Sequence, residues 1–374
     1  MDAAPRPERV LALRDLLGLS LESLATSAGL KSQGYLSDIA NGIRPFTEQH
    51  VQMLAKAVDF PEEFFYVEAP GVESSSLNFR KLKQSKAKTT KKATQYFREA
   101  SRIVQQTAPT AGLKAKSLPY VDEPDGLLEV EAIEEAAAAT RALMGVDSAG
   151  PIPNVTRAVE RLGIVVTPVA LDPTDDEVRV VAEGHFGISH GDRHGVPVVG
   201  YFPGASPDRD RFTLGHEVGH VVLHSHRTST DPEKEANRFA GALLISEEAA
   251  RSLLHPMVTL NQLARVKAQF GISIQALIMR AAGLGIIDTK RQRSLFVQLS
   301  ARGWRQSEPV EVEPEEPLLL RKLIELSLPD KPTTSDVEKY MALPRAYVRA
   351  MAPLTSKRPR TAGAPPVPLV RSVG

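Results

Sequence analysis

The sequence predicts an α+β multidomain fold: an all-α unit of helix-turn-helix type, an α+β unit built around a metal-binding helix, and a run of C-terminal helices. Three observations lead there. Four short helical periodicities, separated by glycine-containing turns, fill the first seventy residues. Apolar, β-rich runs then lead into a His-Glu-x-x-His pattern from His216 to His220. Beyond that pattern the apolar periodicity is helical to about Met351.

In the first unit, Arg9 to Leu17 has helical spacing and Gly18 stops it. Ser20 caps a short helix from Leu21 to Ala28, closed by Gly29. A third helix begins near Lys31-Ser32-Gln33, turns Leu36 and Ile39 inward and ends at Asn41-Gly42. A fourth, Glu48 to Val58, carries Val51, Met53, Leu54 and Val58, and Pro61-Glu62-Glu63-Phe64-Phe65 closes the unit. This order resembles the Cro/cI (XRE) type of DNA-binding domain, with Leu24-Ala25, Ala28-Gly29-Leu30, Tyr35-Leu36, Ile39 and Asn41-Gly42 as the matching positions.

That resemblance implies a recognition helix from about Ser32 to Ala40, with Lys31, Ser32, Gln33, Tyr35 and Ser37 toward the major groove. Gln suits bidentate reading of adenine, while Ser and Lys reach phosphates or base edges. Glu22 stands where the family often has Gln, and Asp38 where it often has Lys or Arg; both carboxylates repel phosphate. The competing reading is a helical protein-interaction domain of the same fold.

Residues 71–127 read as a basic linker and helix. Seven of the thirteen residues from Arg80 to Lys92 (among them Lys86, Lys88, Lys91 and Lys92) are basic, and no acid occurs from Ser74 to Arg98. Such a run is either a solvated linker or, beside a helix-turn-helix, a segment that displaces counterions from DNA.

An acidic, alanine-rich helix from Leu128 to Met144 opens the next unit, followed by a helix from Asn154 to Leu162 and a strand at Ile164 to Thr167. Further β-rich pieces lie at Val178 to Val181, His185 to Ile188 and Val196 to Phe202, where Pro197 favours an edge position. Tyr201 is a candidate for approaching substrate, and His190 and His194 read as solvated loop residues.

The metal helix has Ser206 as N-cap, Pro207 at its first position and Asp208 complementing the dipole. Spacing of i,i+4 stacks His216 and His220 on one face, where two neutral imidazoles can share one Zn²⁺. Glu217, beside the first ligand, can take a proton from metal-bound water. The context supports the motif: seven of the nine His crowd between His185 and His226. His224 and His226 read as favourable charges at the helix end rather than as ligands.

A second helix starts at Asp231 and Pro232, and on it Glu233, Ala236, Asn237, Ala240 and Leu244 share a face. Two polar groups on a packed face need partners, and a metal is a good partner for Glu233. Glu235 points away from that face and is the fallback ligand. Both glutamates could also be ordinary first-turn acids.

These residues carry a second resemblance. Arg211 to His220, then Glu233-x-x-Ala236-Asn237-x-Phe239-Ala240 and Leu243-Leu244-Ile245, and finally Ala301 to Pro309 around Trp304, resemble the ImmA/IrrE family of zinc-dependent peptidase regulators. The resemblance implies a zincin-like α+β domain, whose edge strand can align an extended peptide. It implies His216, His220 and Glu233 as ligands of one Zn²⁺, Glu217 as catalytic base, and repressors of stress responses or mobile elements as substrates. Gly215 departs from the more usual Ala, and Ser246 from the usual Pro.

The expected organisation is therefore a helix-turn-helix domain (1–70), the basic linker and helix (71–127), a metallopeptidase domain (128–254), its helical extension (255–309), a small helical segment (310–354) and a Pro-, Arg- and Ser-rich disordered tail (355–374). Helices are expected at Leu260 to Leu284, Thr289 to Ser300, Leu318 to Leu328 and Thr334 to Met351. The absence of cysteine excludes disulfides, thiolate zinc fingers and a cysteine nucleophile. A net charge of +1 gives no overall bias toward nucleic acid, so any DNA-binding face arises by local segregation. No secretory or membrane-spanning pattern occurs, so a cytoplasmic protein with no membrane contact is expected. The expected partners are DNA, a repressor as protein substrate, and a second copy of the chain in a homodimer. A transcription regulator with a non-hydrolytic, sensing or structural metal site, and an antitoxin-like interaction module, are the alternative functions.

Overall fold

The computed structural model describes residues 4–69, 78–81, 87–114, 116–171, 173, 185–191, 195–203 and 206–353. The strand expected at Val178 to Val181, His194, Lys86 and the tail 355–374 lie outside the described residues.

The N-terminal helices form where their stop and start signals stand. Helix α1 (Glu8–Leu17) ends at Gly18, whose φ of 63° is the left-handed conformation that glycine adopts without strain. Helices α2 (Leu21–Ser27) and α3 (Gln33–Ala40) are capped by Ser20 and Ser32, whose hydroxyls accept from the Ser23 and Tyr35 amides. Helix α4 (Glu48–Val58) and a 3₁₀ turn, Glu62–Phe65, complete the unit. Strand β1 (Asn78–Lys81) and the 21-residue helix α5 (Ala87–Thr107) follow.

Helices α6 (Val130–Met144) and α7 (Val155–Glu160) lead into strands β2 (Val165–Pro168), β3 (His185–His190) and β4 (Val198–Tyr201). Next come α8 (Pro207–His224), α9 (Pro232–Leu244) and α10 (Glu247–Leu253), the last capped by Ser246, which accepts from the Ala249 amide. The remaining helices are α11 (Leu260–Phe270), α12 (Ile274–Gly283), α13 (Thr289–Ala301), α14 (Leu319–Ser327), α15 (Thr334–Met341) and α16 (Arg345–Met351). Among the described residues, no helix is long and apolar enough to cross a membrane.

The sheet has the order β1-β3-β4-β2, with β2 and β4 parallel and the other pairs antiparallel. Two expectations change here. Strand β4 is an inner strand, not the edge that Pro197 suggested, because pairing starts at Val198 and Pro197 contributes only its carbonyl, to the Val165 amide. His190 is no loop residue: it pairs with Val198 at the end of β3 and is buried. The outer edge of β3 is covered by β1, in a register that sets Arg80 opposite Gly187.

Alternation along the strands divides the core in two. Val166, Val199 and Tyr201 belong to the core formed with α6 to α9 and the helices up to α13. Val165, Val198 and Ile188 belong to a second core, which also holds Leu13, Leu16, Leu36 and Leu54 of the first unit, Phe97 and Ile103 of α5, and Leu323 and Met351 of the C-terminal helices. The first unit is thus legible by its turns, yet its apolar face continues into α5, the sheet and the last helices.

A buried charge cluster ties these parts together. Glu99 of α5 is fully buried and accepts from Arg9 (2.7 Å), Arg102 (2.8 Å) and Gln95 (2.9 Å). Arg9 also donates to the Phe64 carbonyl, and Arg102 to the Met341 carbonyl. Burial pushes the Glu99 carboxyl up, but the two guanidiniums overcome it and hold the group at about 2.

Candidate metal centre

Helix α8 is fixed at its first turns before it delivers any functional residue. Asp208 accepts from Lys267 at 2.7 Å; Lys267 also donates to Glu308, whose carboxylate caps α12 by accepting from the Ile274 amide. Arg211 pairs with Glu315 and donates to the Ile152 and Phe270 carbonyls. Helix α9 then packs closely on α8 through glycine. A Cβ at Gly219 would stand 3.2 Å from the Ala236 Cα and 3.1 Å from the Phe239 ring. At Gly215 the nearest atoms of Ala240 are 3.5 Å away, so the alanine common at that position in the resembling family also fits.

This approach brings together three of the sequence-predicted residues. His216 Nε2 lies 3.0 Å from His220 Nε2, and Glu233 carboxylate oxygens lie 3.5 Å and 3.2 Å from those two nitrogens. All three donor atoms fall within 4.8 Å of one another. Ligand atoms about 2.0–2.2 Å from a tetrahedral zinc stand roughly 3.3–3.6 Å apart. The cluster, with separations of 3.0, 3.2 and 3.5 Å, is slightly tighter than a zinc site and needs only a small opening to hold the ion. Its chemistry agrees. Asn237 Oδ1, which can only accept, lies 3.1 Å from His216 Nδ1, so that nitrogen carries the proton and Nε2 presents a lone pair. Lone pairs and a carboxylate converging on one point call for a cation. The histidines are buried, while the Glu233 side chain is 49% exposed and leaves the centre open on its side.

Glu217 is fully buried on the same helix, and its carboxylate lies against β3 at Gly187. A Cβ on residue 187 would meet the Glu217 carboxyl carbon at 2.7 Å, so the strand must be bare there for the carboxylate to occupy its position.

Glu235 is placed differently from the fallback ligand the sequence offered. It is buried, accepts from the Leu128 amide (2.7 Å) and Arg227 (3.0 Å), and lies 2.8 Å from His224 Nε2. His224, expected to complement the helix end, instead bridges this carboxylate to His220, with 3.0 Å between the two Nδ1 atoms. Burial pushes the His224 pKa down to about 4 against the pull of Glu235, so the ring is neutral at pH 7. His226 stacks on Tyr120 and reaches Asp122 at 3.1 Å. Tyr201 is buried in the core.

On the first unit, Lys31, Ser32 and Gln33 are exposed at the start of α3. Ser32 spends its hydroxyl on capping, Ser37 accepts from Asn41 at 3.2 Å, and Tyr35 shares a 3.0 Å hydrogen bond with His50. Arg44, which the sequence reading passed over, lies 2.9 Å from Asp38 and 5.2 Å above the Tyr35 ring. It neutralises the carboxylate expected to repel phosphate. Lys88 and Lys92 of α5 run past Gly18, beside the α1–α2 turn.

Two family models match the chain. Residues 10–65 match the family model described as helix-turn-helix, and residues 159–282 match a peptidase family model described as the IrrE N-terminal-like domain. No curated protein matches the chain. The chain therefore carries an XRE-type helix-turn-helix domain followed by an IrrE N-terminal-like peptidase domain, on an α+β multidomain scaffold.

Proposed function

We propose that the chain is a cytoplasmic, DNA-binding transcription regulator that carries a zinc-dependent endopeptidase and cleaves a repressor or similar regulatory protein. The observation that carries this reading is the convergence of His216, His220 and Glu233 on one point, with the Glu217 carboxylate buried on the same helix. A purely structural zinc site needs closed coordination and no base, whereas three ligands leave a position open.

Zinc, when bound, supplies a Lewis acid that polarises the scissile carbonyl and lowers the pKa of a water. His216 and His220 hold it through Nε2, and Glu233 completes the set. Glu217 takes the proton from the water and passes it to the leaving amine. The exposed Lys31, Ser32 and Gln33, with the partly buried Tyr35 and Ser37 of α3, form the DNA-facing surface, and Lys88, Lys91 and Lys92 extend it with cations.

The test incubates the zinc-loaded full chain with the repressor encoded beside its gene. The intact chain should cleave it. Glu217→Gln should keep the metal, bind the repressor and lose about 10²–10⁴-fold in rate. A Glu217→Gln chain that regulates its target genes as well as the intact one makes hydrolysis irrelevant and favours a metal-sensing regulator.

A further inference from the structure

We infer that His224 is a positioning residue: it fixes which ring nitrogen of His220 is offered to the metal, under the direction of the Glu235 carboxylate. This inference rests on the metal-centre reading above and adds a role for residues that reading does not use.

The direction of each hydrogen bond follows from the far end of the chain of contacts. Glu235 is buried and accepts from the Arg227 guanidinium and the Leu128 amide. A carboxylate held by a buried guanidinium is an acceptor only. His224 Nε2, 2.8 Å from it, must therefore be the donor. In a neutral imidazole the other nitrogen is then an acceptor, so His224 Nδ1 presents a lone pair to His220 Nδ1 at 3.0 Å. His220 Nδ1 must carry the proton, and its Nε2 is left with a lone pair. That nitrogen is the one that converges with His216 Nε2 and Glu233.

The two ligands are thus oriented by different means toward the same end. Asn237 accepts directly from His216 Nδ1, whereas His220 is oriented through a second ring. Helix geometry makes the relay available. Residues 216, 220 and 224 lie at successive i,i+4 positions of α8, so the three rings follow one another along one face, the first pair edge-on and the second tilted. Arg227 anchors the far end, donating to the Gly126 carbonyl as well as to Glu235. Groups behind a metal ligand that fix its tautomer typically change metal affinity by about 10–100-fold when removed.

The experiment reads the tautomer directly. The metal-free full chain, labelled with ¹⁵N-histidine, is examined at pH 8 by two-bond ¹H–¹⁵N correlation, with His220 assigned from a His220→Gln sample. The intact chain should show His220 protonated at Nδ1; protonation at Nε2 there overturns the proposal. His224→Phe should move His220 toward the Nε2–H form and weaken zinc about 10–100-fold in chelator competition. His224→Gln, whose amide offers one donor and one acceptor, should restore most of that affinity. A folded His224→Phe chain with the His220 tautomer unchanged shows that His224 merely packs. Absence of zinc binding by the intact chain defeats the metal reading instead, and the tautomer result then decides the orienting role alone.

Discussion

Gly187 and Glu217 are apposed so closely that any side chain on residue 187 must displace the carboxylate. Within β3, Gly187 is the residue without a Cβ, and it is there that the Glu217 carboxylate of α8 lies against the strand. Gly187→Ala should therefore leave zinc binding intact while it lowers peptidase activity at least tenfold. Inserting a methylene-sized group into a packed region costs about 1–3 kcal/mol, so a modest fall in thermal stability should accompany the loss. Full activity in Gly187→Ala would show that Glu217 has room to work elsewhere.

The intact chain should hold about one zinc per molecule by elemental analysis, because three donors converge on one point. His216→Ala, His220→Ala and Glu233→Ala should each deplete it strongly. Glu235→Ala should leave weakened but measurable binding, since its carboxylate touches His224 and not the cluster. Complete loss with Glu235→Ala and none with Glu233→Ala would reverse the assignment.

The two helix glycines should respond differently to the same methyl group. Gly219→Ala forces α8 and α9 apart, because the nearest atoms are backbone and ring at 3.2 Å and 3.1 Å. It should destabilise the protein by about 1–3 kcal/mol. Gly215→Ala meets Ala240 at 3.5 Å, an ordinary contact, and should gain up to about 1 kcal/mol from helix propensity. Denaturant titration of both variants checks the order.

Glu99 makes stability depend on acid. Its folded pKa of about 2 lies below the value of about 4.3 usual for an exposed glutamate, so its contribution is present above pH 4.3. It is lost as the pH falls from about 4.3 toward 2. Glu99→Gln, which leaves Arg9 and Arg102 without their counter-charge, should cost roughly 3–5 kcal/mol near neutrality. The gap in melting temperature between the two chains should narrow below pH 4.3. A gap constant from pH 7 to pH 3 would rule out the ion pairs as its source.

For DNA, the full chain is the right material. Gln33→Ala should relax sequence preference with a modest loss of affinity. Lys88→Ala, Lys91→Ala and Lys92→Ala should weaken binding to all sequences, each reducing the slope of log affinity against log salt by about one. Unchanged slopes in gel-shift titrations would assign this run to solvent rather than phosphate.

The sequence made the His216, His220 and Glu233 cluster legible because it is set by local geometry: an i,i+4 pair and a second helix face on which Glu233 travels with Asn237. Asn237 even announced itself, as a polar group on a packed face that needed a partner. His224 stayed hidden for the opposite reason. Its partner Glu235 is held by Leu128 and Arg227, and no periodicity connects those positions. A histidine at a helix end looks the same in sequence whether it answers a dipole or a carboxylate. Pro197 misled because the rule about proline concerns paired amides, and pairing begins one residue later.

The partnership between Arg9 and Glu99 has a practical meaning for any attempt to test DNA binding and proteolysis on separate fragments. Severing the chain after residue 70 or after residue 92 strands a guanidinium that is 0% exposed and bares the face where α1, α5 and the sheet meet. A fragment made in this way reports on its own damage, not on the activity it was meant to isolate. The first unit shares one buried core with α5, the sheet and the last helices, so single side chains exchanged within the whole molecule are the way to test one proposed task apart from the other.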